Sequence, residues 1–171
     1  MRKWIVIATG LATLALVNWT ISQREHQIAT GKEVRLELAP VDPRSLMQGD
    51  YMALRFQVAN EVQRGTSRKE EDREARDGHV VVKPEANGIA RYVRQHAGET
   101  LAPDEILLRY RIREHQVKFA TNAWFFQEGH AKLYEGARYG EFRVSPSGEM
   151  LLVAMLGKDR EKLGPPTSPK G

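Results

Sequence analysis

The sequence contains no cysteine, so neither a disulfide framework nor thiolate chemistry is available to it. That absence leaves the compartment open, because exported proteins also do without cysteine. Neither GxGxxG nor GxxxxGK[ST] occurs, which removes the usual glycine-rich phosphate loops. HExxH is missing too, and the five histidines (26, 79, 96, 115 and 130) share no metal-ligand spacing. No cofactor and no metal are expected. A strong excess of one charge is also lacking. The chain has 26 basic and 22 acidic residues; without Arg2 and Lys3 the balance is 24 against 22. A nucleic-acid partner is therefore not expected, since such binders concentrate far more positive charge on one face.

What is present suits one folded domain. The chain has 171 residues, with 41% apolar and 28% charged side chains, a composition that can bury a core without staples. Residues 4–22 (WIVIATGLATLALVNWTIS) carry no ionisable group. As a helix rising about 1.5 Å per residue, they match the hydrocarbon core of a bilayer. Trp4 and Trp19 stand near the two ends, where indole rings favour the headgroup region. Arg2 and Lys3 precede the run, whereas Arg24 and Glu25 offset each other after it. The positive-inside bias predicts a cytoplasmic amino terminus and an extracytoplasmic domain at a bacterial inner or plasma membrane. A cleaved signal peptide shares the basic start, but Asn18, Trp19 and Ile21 interrupt the small-residue cleavage pattern. An uncleaved anchor over residues 1–22 is the expectation, followed by a polar link over 23–31.

From residue 32 the periodicity becomes two. Val34, Leu36 and Leu38 alternate with polar neighbours, and Met52, Leu54, Phe56 and Val58 repeat the pattern as a second strand. Residues 61–77 (EVQRGTSRKEEDREARD) form a mixed-charge run with no apolar face beyond Val62, expected to be a solvated helix or loop. HVVVK (79–83) and residues 89–93 read as strands split by a turn over 84–88. Residues 105–113 alternate most clearly: Ile106, Leu108, Tyr110 and Ile112 face the core, with Leu107, Arg109, Arg111 and Arg113 opposite. Residues 116–119 pair with them. Residues 128–138 read as a helix, and 141–144 with 150–155 as a hairpin around SPSG. The expected fold is α+β: an N-terminal transmembrane helix, then a mainly antiparallel β domain over 32–156 with one or two short helices. A disordered tail is expected over 157–171.

One segment is specialised. Residues 40–51 (PVDPRSLMQGDY) offer Asp42 as an N-cap, Pro43 as a first helical residue and Gly49 as a helix end. One helical turn over 43–48 would then deliver Asp50 and Tyr51 to the next strand, with Arg44 or Arg55 able to pair with Asp50. The stretch GDYMALRF (49–56) resembles the signature of the bacterial GDYXXLXY-motif family, with Phe56 in place of the final tyrosine. VDPRSLMQ before it, the anchor, and FFQEG at 125–129 are similar as well. Gly49, Asp50, Tyr51 and Leu54 match the named motif. The resemblance implies a membrane-anchored protein of unassigned biochemistry, linked with multi-pass membrane proteins.

Three classes of function follow. The favoured one is an extracytoplasmic interaction module that binds a membrane protein partner, meets lipid through its N-terminal helix, and uses Asp42, Arg44, Gln48, Gly49, Asp50, Tyr51, Leu54 and Glu128 as its contact loop. A membrane-bound hydrolase with Ser45 as nucleophile and Lys83 as base is the second, although only three residues separate Ser45 from Gly49. A carboxylate site of Asp42, Asp50 and Glu128 is the third, with nothing in their spacing to require proximity. The stripe Arg109, Arg111 and Arg113 suits solubility and edge protection, or contact with anionic headgroups.

Overall fold

The computed structural model describes residues 2–39, 47–48, 51–66, 76–113, 116–121 and 123–165. It opens with helix α1 (Arg2–Thr30), in which no residue is buried. Its length and composition suffice to cross a membrane. The helix does not stop at the expected link. Residues 23–30 continue it because they contain no glycine or proline, and Arg24 reaches Gln27 one turn on while Thr30 Oγ1 donates to the His26 carbonyl. Gly31 then closes the last turn onto the Gln27 carbonyl.

Eleven strands are described: β1 (Lys32–Glu37), β2 (Met47–Gln48), β3 (Tyr51–Ala53), β4 (Arg76–Pro84), β5 (Ala90–Gln95), β6 (Ile106–Arg113), β7 (Gln116–Phe119), β8 (Ala123–Phe125), β9 (Tyr139–Val144), β10 (Met150–Leu156) and β11 (Lys162–Leu163). They form three antiparallel sheets, ordered β1-β9-β10-β11, β5-β4-β6-β7 and β2-β3-β8. The first two meet at a parallel bridge between Arg35 and Ile89, and where the Arg109 amide donates to the Gly148 carbonyl at the β9–β10 turn. Together they curl into a half-barrel. The α+β class and the dominance of antiparallel pairing agree with the sequence reading.

The main core fills the half-barrel. Leu36, Val80, Val82, Leu108 and Phe142 are fully buried there, and each such side chain contributes about 2 kcal/mol through removal from water. Helix α2 (Gln57–Thr66) lies across β1, β5 and β7 and seals this core with Val58, Ala59 and Val62. That helix corrects two expectations. Val58 is helical rather than the end of a strand, and the mixed-charge run begins inside a packed helix. Val58 and Val62 are one helical turn apart, but they fall on either side of the boundary drawn from periodicity, which hid the apolar face.

A smaller cluster gathers Met52, Tyr134, Ala137 and Met155 beneath the third sheet. The helix expected over 128–138 is reduced to a 3-10 turn, Ala131–Leu133. Gly129 takes φ +82° and Gly136 follows, so helix propagation is weak at both ends of the segment. Tyr134 instead stacks on Phe126, 5.4 Å between ring centroids. Order also extends past Leu156, since Leu163 and Lys162 of β11 pair with Met155 and Leu156. Residues 166–171, within the expected tail, lie outside the described residues.

Candidate functional site

The motif segment forms the small sheet. Met47 and Gln48 are extended and pair with Met52 and Tyr51, so the helical turn expected over 43–48 does not reach them. Backbone groups that the turn would have left free are satisfied by the β2–β3 ladder instead. On its other side β3 pairs with β8, matching Tyr51 with Phe125, Met52 with Trp124 and Ala53 with Ala123. Tyr51 of the first motif and Phe125 of the FFQEG segment, more than seventy residues apart in the chain, thus lie on adjacent strands. The Tyr51 and Phe125 rings lie 5.7 Å apart, and Phe125 is 73% exposed. Behind them Trp124 and Phe126 both pack on Tyr134. The indole N–H of Trp124 is buried and has no hydrogen-bond partner among the described residues.

The rest of the motif serves the core. Leu54 packs against both apolar clusters and joins them. Phe56 is buried edge-on against Phe142, with centroids 5.2 Å apart. Its ring closes over Gly140, where an added Cβ would sit 3.0 Å from Phe56 Cε1. The motif's tyrosine-to-phenylalanine departure therefore falls at a packing position. Beside it, residues 53–56, α2 and β7 border a cleft of about 290 Å³, with Asn60, Gln63, Gln116 and Lys118 among its polar walls. Sequence reasoning missed this cleft because it missed α2.

Of the residues expected to form the contact loop, Asp42, Arg44, Gly49 and Asp50 lie outside the described residues, as does Ser45. Gln48 is placed on β2, Tyr51 is half-buried on β3, and Leu54 is a core residue. Glu128 is exposed in the turn after β8 and makes no ion pair among the described residues. Among the described residues no three His, Asp or Glu side chains converge as metal ligands. Lys83 has surroundings opposed to those of a general base. Its ammonium lies 2.5 Å from Asp104, whose carboxylate raises the lysine pKa and stabilises the charged form.

A second constellation is electrostatic. Strand alternation puts Arg109, Arg111 and Arg113 on one face of β6, as the sequence predicts. Asp77 on β4 stands between them and accepts from Arg109 Nη2 at 2.7 Å and Arg113 Nη2 at 2.9 Å. The Arg109 hydrogen bond is the leading cause that holds the Asp77 carboxyl below its ordinary pKa. Arg109 also pairs with Glu149. Arg111 Nη2 donates to the Ala120 carbonyl at 2.8 Å. These groups and Arg24 of α1 line a pocket of about 530 Å³.

A family model described as GDYXXLXY protein matches residues 13–155. No curated protein and no solved structure gives a significant match to the chain.

Proposed function

The chain belongs to the GDYXXLXY protein family, and from that premise we propose that it is a membrane-anchored interaction module that binds a membrane protein on the extracytoplasmic side. The observation that carries this reading is the Tyr51–Phe125 pair. A phenylalanine ring left 73% exposed on a short outer strand, backed by half-buried Trp124 and Phe126 and buried Tyr134, has the character of an interface anchor. Its neighbour Tyr51 adds a hydroxyl beside the apolar ring, and the cleft along residues 53–56 offers amide groups to a partner backbone.

Anchoring is supported by α1 itself. Its apolar side chains are exposed throughout, so their burial falls to lipid rather than to the domain. The same helix runs unbroken into the domain, where Gln27 Nε2 donates to the Glu149 carbonyl at 2.9 Å and the Arg143 carbonyl at 3.2 Å. Those bonds tie the carboxyl-terminal end of the helix to the β9–β10 hairpin. Arg2 and Lys3 before the span favour an extracytoplasmic domain.

The test is affinity purification of the full-length chain from native membranes, wild type beside Tyr51→Ala/Phe125→Ala at equal abundance. A membrane protein recovered with wild type alone supports the reading. If both forms purify alone, or both carry the same partner, the aromatic face is not the interface.

A further inference from the structure

We propose that the arginine pocket between α1 and β6 holds the phosphate of an anionic phospholipid, drawn from the membrane in which α1 is anchored. The inference rests on the anchored reading above but concerns a different surface from the aromatic one.

Charge is the first argument. Four guanidinium groups (Arg24, Arg109, Arg111 and Arg113) line the pocket against two carboxylates, Asp77 and Glu149. The carboxylates are taken up by Arg109 and Arg113. Arg24 and Arg111 have no carboxylate partner among the described residues; Arg24 Nη1 donates to Gln27 Oε1 at 3.2 Å and Arg111 Nη2 to the Ala120 carbonyl. Both keep further N–H groups for an anion, and the guanidinium fork suits two oxygens of one phosphate.

Position is the second argument, and it selects a lipid over a free phosphate. Arg24 stands two residues beyond Ser22, the last residue of the uncharged run. In an anchored chain it therefore lies at headgroup depth, within reach of lipid phosphates. A second groove of about 1020 Å³ follows α1 from Trp19 and shares Arg24 and Glu149 with the pocket. It opens a path by which a glycerol backbone can rise along the helix while its acyl chains stay in the bilayer. A soluble phosphate has no use for that path.

Full-length protein in detergent micelles doped with phosphatidylglycerol or phosphatidylcholine provides the test, with bound lipid counted by native mass spectrometry. Wild type should retain the anionic lipid about tenfold over the zwitterionic one, and Arg24→Gln/Arg111→Gln should erase that preference. Lys132→Gln/Lys158→Gln removes the same charge from exposed positions elsewhere and should leave it intact. Equal retention of both lipids by wild type overturns the proposal, as does equal loss in the two double variants. Inorganic phosphate is added in a third arm. If it raises the melting temperature of wild type alone and displaces the lipid, the site belongs to a free anion and the lipid assignment fails. Alkaline extraction of native membranes keeps the two readings apart. Protein that stays in the membrane but shows no lipid preference refutes only this inference; protein that is released refutes the anchor as well.

Discussion

Tyr51 and Phe125 face each other across the β3–β8 ladder, 5.7 Å between ring centroids, although each belongs to a separate sequence motif. The pairing brings Tyr51 of GDYMALRF and Phe125 of FFQEG together on one aromatic face of a small sheet.

If that face serves a partner, its loss should not harm the fold. Phe125 is 73% exposed, so Phe125→Ser removes little buried area and should change stability by less than about 0.5 kcal/mol. Met52→Ala, on the same sheet but 2% exposed, should cost about 2–5 kcal/mol. Chemical denaturation of both variants checks the contrast. A large loss in Phe125→Ser would show that the ring is part of the core.

Gly78 gives a prediction about close packing. A Cβ added there would lie 2.6 Å from Cζ and Oη of Tyr110, directly opposite on β6. Gly78→Ala should therefore destabilise the domain by about 1–3 kcal/mol through overpacking. Shortening the opposed side chain, as in Gly78→Ala/Tyr110→Leu, should make the cost of the alanine smaller than it is opposite tyrosine. A double-mutant cycle measures that coupling.

The strands of the half-barrel were legible because their alternation is local. Leu108 to Arg113 shows a two-residue period without interruption, and SPSG marks its hairpin unaided. The family was legible from residues 49–56. What failed was the assignment of segments whose signal crosses a boundary. Val58 belongs to a helix whose next buried residue, Val62, stands in a charged run, and neither half is persuasive alone. Residues 128–138 have helical spacing, but the spacing of Tyr134 and Ala137 serves packing on Trp124 and Phe126, information held elsewhere in the chain. The site was legible only in part. Tyr51 was found from the motif, whereas Phe125 became its neighbour only through strand pairing, and Arg24 joined the β6 arginines only through the docking of α1.

Acid should weaken the connection between β5 and β6. Arg94 holds Glu105 through both carboxylate oxygens and also reaches Glu99. The Arg94 hydrogen bond is the main cause that lowers the Glu105 pKa from 4.5 to about 2. Backbone amides, including that of Ala97, bring Glu99 to about 2 as well. Because the folded pKa values are depressed, their stabilisation is complete above the unfolded value of 4.5 and is lost as pH falls through about 2. Wild type should thus lose melting temperature between about pH 5 and pH 2, and Arg94→Gln should lose less over that window. Parallel slopes in the two proteins would show that the clamp does not carry the pH dependence.

Glu141 yields the sharpest stability prediction, because it is the buried charged residue of the described core, 3% exposed. Its carboxylate lies 3.1 Å from Lys162 Nζ on β11 and 3.6 Å from Arg35 Nε on β1. The two cations therefore reach it from opposite edges of the β1-β9-β10-β11 sheet, and one of them comes from the segment past Leu156. Removing the central carboxylate costs more than removing either cation, because loss of one cation still leaves Glu141 one counterpart. Lys162→Ala strips one cation but leaves Arg35, and its own side chain is exposed, so about 1 kcal/mol is expected. Glu141→Ala leaves a cavity and takes the core carboxylate from Arg35, which keeps its pair with Glu33, so about 2 kcal/mol is expected. If β11 is held chiefly by this contact, hydrogen exchange at Leu163 should quicken in both variants while exchange at Val82 stays slow in Lys162→Ala. Unchanged exchange at Leu163 would mean that its backbone pairing with Met155 suffices to hold the strand.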